Sequence, residues 1–154
     1  MCSARAPRGT QGANAAYANG FLEIMPAVSD YNFDGLDDTF QRQYFPLFTA
    51  DVAAPGADPD GDGMNNLAES IAGTVPTDTA SLLKIQSVAR TNTTATVRWS
   101  SVEGKKYQVA YRTNLTAGSW SSLGPVVTAS GATTLLADTT ATNAFRFYRV
   151  QVVP

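Results

Sequence analysis

The twelve residues Asp58–Glu69, DPDGDGMNNLAE, carry the chain's most specific chemistry. Asp58, Asp60, Asp62 and Asn66 stand at places one, three, five and nine, Gly63 at six and Glu69 at twelve. That is the full D-x-[DN]-x-[DN]-G-x5-E pattern. Calcium is a hard cation that takes roughly six to eight oxygens at about 2.3–2.6 Å. Alternate residues of a curled loop can all point inward, and a glycine is needed where the backbone turns with positive φ. Met64, at the seventh place, would ligate through its backbone carbonyl, leaving its side chain to pack. Glu69 would supply two oxygens. Three aspartates within five residues repel one another unless a cation lies between them.

Asp30–Gln41, DYNFDGLDDTFQ, repeats the pattern 28 residues earlier. Asp30, Asn32 and Asp34 fall at places one, three and five, Gly35 at six, the Leu36 carbonyl at seven and Asp38 at nine. Gln41 stands where the bidentate glutamate belongs. A neutral amide offers one oxygen, so this second Ca²⁺ site is expected to be weaker or to borrow Asp37.

Charge follows the same division. From Asp30 to Asp78 ten acidic residues face one basic residue, Arg42; residues 79–154 hold eight Lys or Arg against Glu103 and Asp138. Three segments follow: a leader or assembly arm (1–29), a calcium-binding loop–helix module (30–78) and a β-rich domain (79–154). The positive charge of the last is too scattered for a nucleic-acid partner. One cysteine, Cys2, and no histidine exclude an intramolecular disulfide and the usual zinc sets. They also exclude the usual Ser–His and Cys–His nucleophile pairs, so the chain reads as non-enzymatic. No stretch is long and apolar enough for a membrane span. Residues 1–29 lack a signal peptide's apolar run, leaving a processed chain, a fragment or a cytoplasmic protein.

In the acidic segment, Leu36, Phe40, Tyr44, Phe45 and Phe48 recur near helical spacing and predict a short helix over 37–45, ended by Pro46. A second helix is predicted over 65–72, with Leu67, Ile71 and Ala72 on one face and Gly73 as its C-cap. From Leu82 the period changes to two. LLKIQSV, TATVRWS, KKYQVAYR, SWSSLG, PVVTAS, TTLLAD and AFRFYRVQVV predict six or seven short strands. The fold class is therefore mainly β: a loop–helix pair and a C-terminal antiparallel β-sandwich. Residues 1–29 read as a flexible leader whose apolar end, Phe21–Val28, docks on the first loop.

DYNFDGLDDTFQRQYF and DPDGDGMNNLAESIAGTVPTD resemble the EF-hand-like calcium repeats of dockerins and the thrombospondin type 3-like repeats of large secreted bacterial proteins. WSSVEGKKYQVAYRTNLTAGSW and FRFYRVQV resemble the fibronectin type III-like end domains that follow such repeats. The resemblance implies an extracellular or cell-surface protein, structural or adhesive, with itself or other surface proteins as partners. One version is a filament subunit whose residues 1–29 add a strand to a neighbour's sheet edge. The rival reading is a carbohydrate-binding module of a larger secreted enzyme, with Trp120, Tyr107 or Tyr111 stacking on a polysaccharide.

Overall fold

A computed structural model of the chain describes residues 30–116, 118–142 and 145–154, with the backbone of two short strands nearer the N-terminus. Those strands, β1 (Ala15–Ala18) and β2 (Phe21–Ile24), pair antiparallel and, among the described residues, join no other sheet. The leader is thus not wholly irregular: Asn19-Gly20, between the strands, is a strong two-residue hairpin signal in sequence. Cys2 and the link at residues 25–29 lie outside the described residues.

Two seven-residue helices follow, α1 (Asp38–Tyr44) and α2 (Asn66–Ala72). Asp37 caps α1 by accepting from the N–H groups of Thr39 and Phe40, and Asn65 caps α2 through Ala68. Gly73 ends α2 with φ of 77°. That left-handed conformation is the one glycine adopts without steric cost at a helix C-cap. A 3₁₀ turn, Asp51–Ala53, lies between the helices.

The predicted face of α2 is corrected. Leu67 and Ile71 are exposed, whereas Asn66, Glu69 and Ala72 are buried. The helix turns its oxygen-bearing side inward, because the loop's ligand positions lie there. In α1 likewise the buried residues are Asp38 and Gln41, with Leu36 and Phe45 buried at its ends.

The remainder is a sandwich of two three-stranded antiparallel sheets. One has the order β3 (Ile85–Thr91), β4 (Thr94–Ser100), β7 (Thr133–Asp138); the other β6 (Ser121–Thr128), β5 (Lys106–Arg112), β8 (Phe147–Val153). SWSSLG and PVVTAS, expected as separate strands, merge into β6. The strand passes through Gly124 at φ of 62° and shifts register opposite Tyr107 and Val109, so the turn signal is a bulge. The core joins Val97 and Trp99 of β4 to Tyr107 and Val109 of β5, with Leu123 and Ala129. Trp99 and Tyr107 meet edge to face, 6.0 Å between centroids. Both are fully buried, so Tyr107 is a core residue and not a sugar platform; its hydroxyl accepts from the Val102 N–H at 2.8 Å.

One buried polar cluster ties the sheets together. Asp138, at the end of β7, accepts from the Arg146 guanidinium, from the Tyr148 hydroxyl at 2.9 Å and from the Thr140 N–H at 2.9 Å. Burial alone would raise the Asp138 pKa, but Arg146, Thr140 and Tyr148 together hold it below the usual carboxylate value. The same burial, with the Asp138 carboxylate alongside, pushes the Tyr148 phenol up to about 12.

The acidic segment rests on one end of the sandwich. The Lys105 ammonium donates to the Ile71 carbonyl at 2.9 Å, and the Leu83 N–H to the Met64 thioether at 3.4 Å. Among the described residues no helix is long and apolar enough to cross a membrane.

Candidate metal centre

In the Asp58–Glu69 loop each aspartate first organises the backbone. Asp58 accepts from the N–H groups of Gly61 and Gly63 at 2.9 and 3.0 Å, Asp60 from Asp62 at 3.1 Å, and Asp62 from Met64 at 2.7 Å. These Asx turns curl the chain tightly, and Gly63 at φ of 96° permits the reversal. As a result Asp58, Asp60 and Asp62 each bring a carboxylate oxygen within 4.8 Å of the others.

The second oxygens of Asp60 and Asp62 are buried and accept nothing. Neither does the Asn66 Oδ1, nor either oxygen of Glu69. Five such atoms on four ligand positions are a large concentration, because a buried polar atom without a partner costs roughly 1–3 kcal/mol. Asn66 is held in place from behind: its Nδ2 donates to the Val52 and Ala54 carbonyls at 2.9 and 2.8 Å, which leaves Oδ1 as its free acceptor. Burial pushes Glu69 up to about 7; the Thr74 hydroxyl pulls the other way, and the charges of Asp60, Asp62 and Asp58 add smaller upward pushes. The donor set is all oxygen, several times anionic and without imidazole or thiolate, which fits a hard divalent cation.

The Asp30–Gln41 loop has the same skeleton and a different interior. Asp30 accepts from Asp34 and Gly35 N–H groups, and Asp34 Oδ1 from Leu36 N–H. Here, however, the second oxygen of Asp34 accepts from two amides, Asn32 Nδ2 and Gln41 Nε2, both at 2.8 Å. Gln41 Nε2 also donates to the Ala53 carbonyl at 2.8 Å. Asp38 accepts from the Tyr31 N–H at 3.2 Å and pairs with Arg42 at 3.3 Å. Of this loop's ligand positions only Gln41 Oε1 is both buried and without a donor. Amide N–H groups here donate to the second oxygen of Asp34, whereas its counterpart on Asp62 has no donor.

Sequence reasoning missed the Asp51–Ala53 turn. Its carbonyls and that of Ala54 anchor the amides of both Gln41 and Asn66, so it is the hub on which the two loops are set. No sequence signal marks it, since any residue supplies a carbonyl.

Trp120, the other proposed platform, is half-buried, with the Arg112 and Arg149 guanidinium groups 5.0 and 4.8 Å from its ring centroid. Tyr111 packs against the core and carries Arg146 over its ring at 4.1 Å. These aromatics meet protein cations, which occupy π-faces a sugar would use.

No protein family, curated protein or solved structure matches the chain.

Proposed function

We propose that this is an extracellular structural or adhesive protein in which one Ca²⁺ in the Asp58–Glu69 loop locks a small loop–helix module onto a β-sandwich. The observation that carries the reading is the set of buried, partnerless oxygens on Asp60, Asp62, Asn66 and Glu69. A cation bound by Asp58, Asp60, Asp62, Asn66 and Glu69, with the Met64 carbonyl, would satisfy them at once. The Asp30–Gln41 loop, closed by its own amides, binds more weakly and serves mainly to support the first. In this role the ion supplies rigidity to a chain that has no disulfide to supply it. The structural role extends to self-association at the cell surface.

Calorimetric titration of the EDTA-stripped protein with Ca²⁺, paired with thermal melts, tests this. One tight site is expected. At a hundredfold excess over Kd the ion adds about 2.7 kcal/mol, a rise in Tm of roughly 5–10 °C for a chain of this size. No heat of binding and superimposable melts would remove calcium from the account.

A further inference from the structure

The sandwich has a strand-shaped slot along the free edge of β8. β8 is an end strand of its sheet and pairs only with β5. Alternate N–H and C=O groups of Phe147–Val153 therefore point away from β5 as an open template. Other end strands exist, but this one lies beside an uncovered stretch of core. Val88 of β3 is directly opposite Val97 of β4, so both side chains project from the inner face of the sheet. Val97 is fully buried whereas Val88 is 48% exposed. On the facing sheet, the inward residues Tyr148, Val150 and Val152 of β8 are only half-buried. A cleft of about 190 Å³ bounded by Val88, Arg90 and Phe145–Tyr148 marks one end of the slot. A second, of about 370 Å³ and mostly apolar, marks the other, between Val152–Pro154, Lys105, Lys106 and Ile71. A strand added beside β8 would satisfy the edge and cover Val88 in one step.

The chain contains a candidate strand. Among the described residues β2, Phe21–Ile24, pairs with β1 alone, and an isolated two-stranded hairpin is at best marginally stable in water. Its sequence FLEI puts Leu22 and Ile24 on one side of an extended strand and Glu23 on the other. Glu23 is the one charged residue between positions 9 and 29, and one end of the slot is rimmed by Lys105 and Lys106. Apolar pattern and charge both match.

We infer that the Phe21–Ile24 strand of a second copy adds to the outer edge of β8, with Leu22 and Ile24 covering Val88 and the half-buried side of β8. Each copy then offers one strand and one slot, a head-to-tail arrangement that propagates as a filament unless it closes into a ring. The inference deepens the self-association part of the proposed function, but the slot and the strand exist without calcium.

The test uses full-length chains in sedimentation and light scattering over roughly 5 to 200 µM, concentrations that report micromolar association. Three variants are compared with the wild type: Leu22→Asp with Ile24→Asp (no strand), Val88→Asp (no slot), and Val126→Asp, a control at an equally exposed valine of β6. The wild type and the control are expected to assemble with concentration. Each of the other two alone should stay at the 16.3 kDa monomer. Their equimolar mixture should stop at a heterodimer, since only one good strand and one good slot remain between them. Near-ultraviolet circular dichroism of the Trp99–Tyr107 pair checks that each is folded, with Val88→Ser replacing Val88→Asp should the signal fall. A wild type that stays monomeric throughout overturns the inference, as does assembly that survives both variants. A monomeric wild type whose melting point drops with Leu22→Asp and Ile24→Asp would place the strand in its own chain and overturn it too. Ca²⁺ titration of the same samples separates the claims: assembly without calcium binding sinks only the calcium reading, and calcium binding without assembly sinks only this one.

Discussion

Glu69 and Asp138 are both carboxylates without solvent exposure, and the protein treats them in opposite ways. Asp138 is surrounded by donors: Arg146, Tyr148, Thr140. Its pKa falls. Glu69 has no cation beside it and only the Thr74 hydroxyl near enough to oppose its burial, with three aspartates close by and a pKa pushed up to about 7. The sandwich completes its buried charge from within, whereas the acidic segment leaves one without a counter-charge of its own. Burial of a carboxylate is therefore not itself a sign of a site; burial short of donors is. The two loops repeat the lesson at shorter range, since Asn32 and Gln41 supply amide donors to Asp34 where Asp62 keeps an empty oxygen.

The largest effect should come from the self-completed side. Asp138→Asn leaves the Arg146 guanidinium buried without its counter-charge and should cost about 3 kcal/mol in urea unfolding. The same carboxylate sets an acid limit. Its folded pKa lies below its unfolded value, so its contribution is complete above about pH 4 and is lost as pH falls through the folded pKa. Acid titration monitored by the near-ultraviolet signal of Trp99 should show this transition, and Asp138→Asn should lack it.

Glu69→Gln should do the reverse of Asp138→Asn. Calcium affinity falls by roughly two orders of magnitude, because a bidentate anion becomes one neutral oxygen, while the EDTA-treated protein melts higher than wild type because a buried, repelled charge is gone. If both substitutions destabilise the calcium-free protein alike, the contrast between the two carboxylates collapses.

Asn66→Asp is a finer probe. It adds charge to the ligand set but removes two donors to Val52 and Ala54, so the calcium-free protein should lose about 1–2 kcal/mol. A calcium-free melt unchanged from wild type would show that the turn does not hold that amide. The smallest effect compares the fourth place of each loop. Gly61 adopts φ of 75° there in the second loop, while in the first Phe33 adopts φ of 57° with its ring 66% exposed. Phe33→Gly should raise stability by up to about 1 kcal/mol by relieving the left-handed strain, read as a small rise in Tm.

Much of this was legible in the residues. TATVRWS and TTLLAD are β4 and β7 to the residue, and both helices lie within a residue or so of their predicted ends. The alternation of Tyr107, Val109 and Tyr111 points to the core as written. The loops' ligand places were readable because their spacing is fixed by backbone curl. What was not readable depends on partners distant in sequence. α2 shows an apolar stripe, but its polar side is buried because the loop folds back over it. Gly124 punctuates β6 without ending it, since pairing on β5 continues past the bulge. The uncovered flank of Val88 depends on which strand faces β3, and no local pattern reports that.

Met64 gives the joint between the two halves a mechanical character. It sits inside the loop, between Asp62 and Asn66, and its sulfur receives the Leu83 N–H just ahead of β3. Sulfur is a weak acceptor, so under tension this contact should yield before the ladders of the sandwich do. A pull on the sandwich would then part the Asp58–Glu69 loop from the start of β3 before any sheet tears.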